Sequence, residues 1–101
     1  MFTTKELSKD EIVLEAKGSL NGEPAGDFQS RLDELVNGPH KGIVLDLTDV
    51  DSINSSCIGR ILLSRKRLSE QGRSIGIRGC SEALYNTFQL IKFDKLIKIE
   101  R

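Results

Sequence analysis

Two adjacent hydroxyls, Ser55 and Ser56, stand between Asn54 and Cys57 at a point where the pattern of the chain changes. Before them, Ile43, Val44, Leu45 and Leu47 form an apolar run broken only by Asp46. That run suits a strand covered on both faces, as in a parallel or mixed sheet. After them, Ile58, Ile61, Leu62 and Leu68 recur at helical spacing. The hydroxyls therefore fall where a strand ends and a helix begins, which in α/β folds is the favoured place for ligands and phosphoryl groups. One role for Asn54-Ser55-Ser56 is helix capping, worth roughly 1 kcal/mol. A second, compatible role is to accept phosphate. A phosphoserine at a helix N-terminus meets unpaired N–H groups and the positive end of the dipole. It also sets about −2 charge at the edge of any surface that helix forms, enough to repel an acidic or apolar partner without unfolding the chain.

Other chemistry finds little support. Cys57 and Cys80 make no CxxC, and with His40 as the one histidine they cannot build a zinc site. Both are expected to be reduced small fillers, and His40, after Gly38-Pro39, an exposed loop residue. No GxSxG or triad pattern surrounds Ser55, and no GxxxxGK[ST] or GxGxxG occurs. The sequence thus predicts no catalytic residue, no metal and no cofactor.

The elements that must position the hydroxyls follow in order. Phe2 to Glu6 and Glu11 to Lys17 predict an edge hairpin turning at Ser8-Lys9-Asp10, with Ile12, Leu14 and Ala16 on one face. Gly18 to Gly22 reads as a loop. Pro24 opens a helix that turns Ala25, Phe28, Leu32, Leu35 and Val36 inward and stops at Asn37-Gly38-Pro39. The strand at 43–47 and the helix from Ser55 to about Gln71-Gly72 come next. Ser74 to Arg78 is a further strand, and Ser81 caps a third helix carrying Leu84, Tyr85, Phe88 and Leu90. Phe93 to Ile99 closes as a turn and a last strand. The expectation is one α/β domain over residues 1–101, with a mixed four- to five-stranded sheet and helices mainly on one face.

Bulk properties agree with a globular chain. It has 101 residues, 38% of them hydrophobic and 30% charged, neither a disordered nor a membrane composition. Fifteen basic residues balance fifteen acidic ones, so no global field draws it to nucleic acid. No apolar run approaches a membrane span, and the start MFTTKELSKD has no basic region followed by an apolar one. The expected location is the cytoplasm, without membrane insertion.

On the helix from Ser55, a 100° step aligns Ser56, Gly59, Arg60, Leu63 and Arg67 opposite Ile58, Ile61 and Leu68. Gly59 would permit close approach, Leu63 would anchor a partner, and Arg60 with Arg67 would meet its acidic groups. Arg65 falls on the apolar side, where only a snorkelling stem would accommodate it.

The segment LDLTDVDSINSSCIGRILLSRKRL resembles the core signature of STAS domains, the anti-sigma factor antagonist family. Gly18-Ser19-Leu20-Asn21 is similar to the family's G-x-L-(D/N), and Ser74 to Ile77 with Cys80-Ser81 to its fourth strand and the approach to its third helix. Phe93 to Ile99 is similar to the family's end. The resemblance implies a bacterial partner-switching regulator. Such a protein binds an anti-sigma factor that is also a GHKL-type serine kinase, is phosphorylated on the first hydroxyl of the loop, and is restored by a PP2C-type phosphatase. By position the acceptor is Ser55, with Ser56 the alternative. The kinase supplies ATP and Mg²⁺. Three positions depart from the pattern. Asn54 replaces the usual Asp, offering a hydrogen bond but no charge and no useful base. Cys57 replaces a Gly and is expected to alter how closely a partner approaches. Lys92 stands where a Gly often precedes the last hydrophobic pair. The runner-up within the same family is a constitutive scaffold, such as a subunit of a lipid-transport complex, with no phosphorylation cycle. Neighbouring genes for a kinase and phosphatase, or for transporter subunits, would discriminate the two.

Overall fold

The computed structural model describes residues 2–100. The expected domain bounds, 1 and 101, therefore lie just outside the described residues. Strands β1 (Phe2–Glu6) and β2 (Glu11–Leu20) form the antiparallel edge hairpin. Its turn is closed by the Leu7 N–H on the Glu11 carbonyl and by the Ser8 hydroxyl, which accepts from the Asp10 and Glu11 N–H groups. Helix α1 (Gly22–Val36) leads to β3 (Gly42–Ile53), α2 (Ser55–Ser69) to β4 (Ser74–Cys80), and α3 (Glu82–Leu90) through a single 3-10 turn at Phe93–Lys95 to β5 (Lys98–Glu100). The sheet order is β1-β2-β3-β4-β5, with every pair after the first parallel. This is the expected α/β arrangement, with five strands.

Register assigns the two faces. Ile12 lies beside Ile43 and Ile75, and Leu14 beside Leu45 and Ile77. These residues share one continuous core with Phe28 and Leu32 of α1, Ile61 and Leu68 of α2, and Leu84 and Phe88 of α3. All three helices thus cover the same face, and the burial of each large apolar side chain contributes about 2 kcal/mol to holding them there. The opposite face carries the row Val13, Val44 and Gly76 and the row Glu15, Asp46 and Arg78. Val13 is buried but stands outside the main core.

Both central strands outrun the sequence expectation. β2 does not stop at Lys17 but continues to Leu20, and β3 does not stop at Leu47 but continues to Ile53. Register shifts after Glu15 and after Gly18 let the two keep pairing, with Gly18 at φ 88°, a value that favours glycine. Another irregularity follows Asp46, where Gly79 bulges out of β4 at φ 72°. A Cβ at Gly79 would crowd the Thr48 hydroxyl and force it to shift, and the positive φ strains any other residue there. There Asp46 accepts from the Thr48 hydroxyl at 2.7 Å and from Arg78 at 3.3 Å. Burial pushes its pKa up, but the bonds from Thr48 and Arg78 outweigh that and hold it below the ordinary carboxylate value.

Several side chains sit elsewhere than expected. His40 is buried, not exposed: its Nε2 lies 2.8 Å from Glu6 Oε1, tying β1 to the loop before β3. Leu90, the last residue of α3, is 84% exposed. Helix α2 ends at Ser69, short of Gln71-Gly72. Arg73 clamps the end of α1 instead, donating to the carbonyls of Leu35, Val36 and His40. The Val36 carbonyl is one of those that a helix end leaves without an intrahelical partner. Arg65 needs no long snorkel, since its Nε donates to the Leu96 carbonyl.

Candidate functional site

The site forms where β2 and β3 end side by side. Leu20 pairs with Ile53, and the Asn54 N–H donates to the Leu20 carbonyl at 3.1 Å. Each strand then passes through an asparagine into a helix. Asn54 keeps extended backbone (φ −86°, ψ 166°), and its Oδ1 accepts from the Cys57 N–H at 2.9 Å. It is a true N-cap. Capping therefore falls to Asn54 alone, and Ser55 and Ser56, the first two helical residues, keep exposed hydroxyls outside the cap. The first turn of α2 holds no acidic residue, so its positive dipole end is not neutralised locally.

The neighbouring junction is braced differently. Asn21 stands at the cap position of α1 but makes no cap bond; its Nδ2 donates to the Ser52 hydroxyl at 2.8 Å instead. That bond reaches from one junction to the strand end of the other and steadies the approach to Asn54. Sequence reading missed this bridge, whose only signal was the Asn in Gly18-Ser19-Leu20-Asn21.

Cys57 is the wedge between the junctions. It is fully buried, and its Sγ lies 3.9 Å from the Leu20 carbonyl and 3.7 Å from the Ala25 carbonyl, each accepting from the thiol. Its bulk points into the protein, so the expected effect on a partner's approach does not arise. Burial pushes the thiol pKa up, and the smaller opposing effect of the Gln29 amide does not reverse this. A raised pKa keeps the thiol protonated and poorly nucleophilic.

Along α2, the structure brings Ser55, Ser56, Gly59 and Leu63 onto one exposed stripe, with Leu63 47% exposed. A side chain at Gly59 would meet open space. Arg60 and Arg67 do not join that stripe freely. Arg60 pairs with Asp33 at 3.2 Å, and Arg67 donates to the Asn37 side chain at 3.3 Å, both toward α1. The buried line Cys57, Ile61, Ser64 and Leu68 explains the rotation: the core side is centred nearer Ser64 than the sequence suggested. Among the described residues no three His, Cys, Asp or Glu side chains cluster as metal ligands. Among the described residues no helix is long and apolar enough to cross a membrane.

The family model described as "Mlab, STAS domain" matches residues 3–98. The chain belongs to the STAS domain family. A Thermotoga maritima protein named as a candidate anti-sigma factor antagonist is 31% identical over 100 residues, covering 98% of this chain and 88% of that protein. A crystal structure of a Thermotoga maritima protein so named aligns with a TM-score of 0.87 at 30% identity, covering 99% of this chain and 86% of that one. The anti-sigma factor antagonist SpoIIAA in its unphosphorylated form aligns with a TM-score of 0.83 at 14% identity, over 100% of this chain and 89% of its own. At that identity the likeness concerns the fold. This STAS domain therefore falls with the anti-sigma factor antagonists and shares the SpoIIAA architecture. Against the family pattern, Lys92 keeps the backbone a glycine would adopt, with φ 60°.

Proposed function

We propose that this STAS domain is a partner-switching regulator: it binds an anti-sigma factor that is a GHKL-type serine kinase and is switched off by phosphorylation at Ser55. The observation that carries the reading is the division of labour at the α2 N-terminus. Asn54 alone caps the helix, leaving the Ser55 hydroxyl exposed beside uncompensated N–H groups. A phosphate there gains from the dipole while its charge faces the stripe of Ser56, Gly59 and Leu63. That stripe is the partner surface, with Leu63 as anchor and Gly59 as the point of close approach. Arg60 and Arg67 border it and contribute through their exposed edges while pairing with α1. The description of SpoIIAA in both unphosphorylated and phosphorylated forms supports such a cycle in a protein of this fold. A PP2C-type phosphatase would reverse the step.

The domain itself supplies no catalytic group, and ATP and Mg²⁺ arrive with the kinase. The step forms a bond from the serine oxygen to the γ-phosphorus of ATP and breaks the bond to the β–γ bridging oxygen, leaving ADP on the kinase. The hydroxyl proton goes to a base on the kinase, since Asn54 is not one.

The test uses the serine-kinase anti-sigma factor of the same organism. The unmodified chain and Ser55→Ala should co-elute with it, and the chain phosphorylated by it should not. Leu63→Ala should weaken the complex by about tenfold or more. No complex with any such kinase would overturn this reading in favour of a constitutive scaffold.

A further inference from the structure

We infer that the turn following α3 is a second docking surface, fitted to an acidic amphipathic helix of a partner protein. Among the described residues five large apolar side chains are exposed, and three of them, Leu90 (84%), Ile91 (50%) and Leu96 (48%), fall within this one turn. The turn is held rigidly. Phe93 and Ile97 are buried at 1% and 3% exposure, and the Phe93 ring packs 4.9 Å from that of Phe88. Arg65 pins it from α2 through the Leu96 carbonyl. The outward leucines are thus a fixed feature, not the fraying of a helix end. A clustered apolar patch on a rigid frame is the usual mark of an interaction site.

Charge selects the occupant. The turn itself carries exposed Lys92 and Lys95 against one half-buried carboxylate, Asp94, and Arg65 reaches it through the Leu96 carbonyl. Lys92 stands in the turn on left-handed backbone, with φ 60°, a conformation disfavoured for a non-glycine residue. Apolar anchors inside a cationic rim match a helix whose apolar residues at i, i+3 and i+4 are flanked by carboxylates. An anionic membrane is a poorer match: the whole chain is neutral, and stable membrane attachment takes a larger basic excess than three cations.

The patch is independent of the phosphoacceptor. α3 starts at the C-terminal ends of the strands and β5 starts just after the patch, so the patch lies at their N-terminal ends. About 15 Å of helix separates Ser55 from Arg65. A partner held here would stay engaged whether or not Ser55 carries phosphate.

The experiment titrates the full chain, ¹⁵N-labelled, with a synthetic Leu/Glu amphipathic helix, with its Leu/Lys counterpart, and with phosphatidylglycerol vesicles. The acidic peptide should shift amides of 90–97 and Arg65, and the basic peptide should not. Leu90→Gln with Ile91→Gln should weaken that binding about tenfold or more, and so should Lys92→Glu with Lys95→Glu. Preserved amide dispersion shows that both variants fold. Four results would overturn the inference: no shifts, equal shifts with both peptides, binding to vesicles but not to peptide, or concentration-dependent shifts of the patch without peptide, which would mean a second copy sits there. None of these bears on Ser55, so this inference and the proposed switch fail separately.

Discussion

Two strand-to-helix junctions lie next to each other in this STAS domain and begin from nearly the same local sequence. Leu20-Asn21 leads into α1, and Ile53-Asn54 leads into α2, with Leu20 and Ile53 paired in the sheet. Their outcomes differ. At the first, Asn21 gives up capping to brace Ser52, and Glu23 in the first turn answers the helix dipole. At the second, Asn54 caps, no carboxylate follows, and two hydroxyls face outward. One junction is finished in itself, while the other keeps its positive end available to an incoming anion. The lesson is that an asparagine before a helix does not define a role until its side chain's partner is known.

This contrast can be broken in graded steps. Cys57→Gly, which removes the wedge between the junctions, should cost the most, about 2 kcal/mol in urea unfolding, from a lost buried side chain and a helical glycine. Asn54→Ala should cost about 1 kcal/mol, the usual loss of a cap. Asn21→Ala should cost about 0.5 kcal/mol, the low end for an exposed side-chain hydrogen bond. If Asn21→Ala proved as costly as Asn54→Ala, the proposed division between brace and cap would be wrong.

Asn54→Asp sharpens the same point, because it keeps the cap and should change stability by a few tenths of a kcal/mol at most. Its expected effect is on chemistry: a carboxylate beside the acceptor should raise the rate at which the kinase phosphorylates the domain, read as initial velocity. The smallest effect is expected away from both junctions. Asp46 has its pKa held below the ordinary value by Thr48 and Arg78, so its contribution to stability is complete above its unfolded pKa and lost as pH falls through the folded one. Asp46→Asn should therefore lower stability slightly in the neutral region, where that contribution is complete, and leave the acid end little changed, so that the stability–pH curve is flatter.

Much of this was legible before the structure. Alternation at Ile12, Leu14 and Ala16, the apolar run at 43–47 and the helical spacing after Ser55 fixed the strand and helix types, because each is a local pattern with its own period. Strand lengths were not legible. β2 and β3 run on through Gly18 and through Asp49 and Asp51 because they pair with each other across bulges, and pairing is not a local property. The buried His40 follows from the same limit: it depends on Glu6 from a distant strand. At the junction, the place of Asn54, Ser55 and Ser56 at the start of α2 was legible from type and position. Cys57's inward direction and the engagement of Arg60 and Arg67 with α1 were not, since a 100° wheel gives spacing without saying which neighbour the helix packs on.

The central claim is that the α2 junction, left open by Asn54, accepts phosphate at Ser55. It is tested most directly by intact mass and peptide mapping of the chain purified from its native cells, beside Ser55→Ala. The account predicts a phosphate-sized increment that maps to Ser55 and is missing from the variant. An increment on Ser56 alone would move the acceptor by one residue and contradict the assignment to Ser55. A chain that stays unmodified under every growth condition would contradict the switch itself.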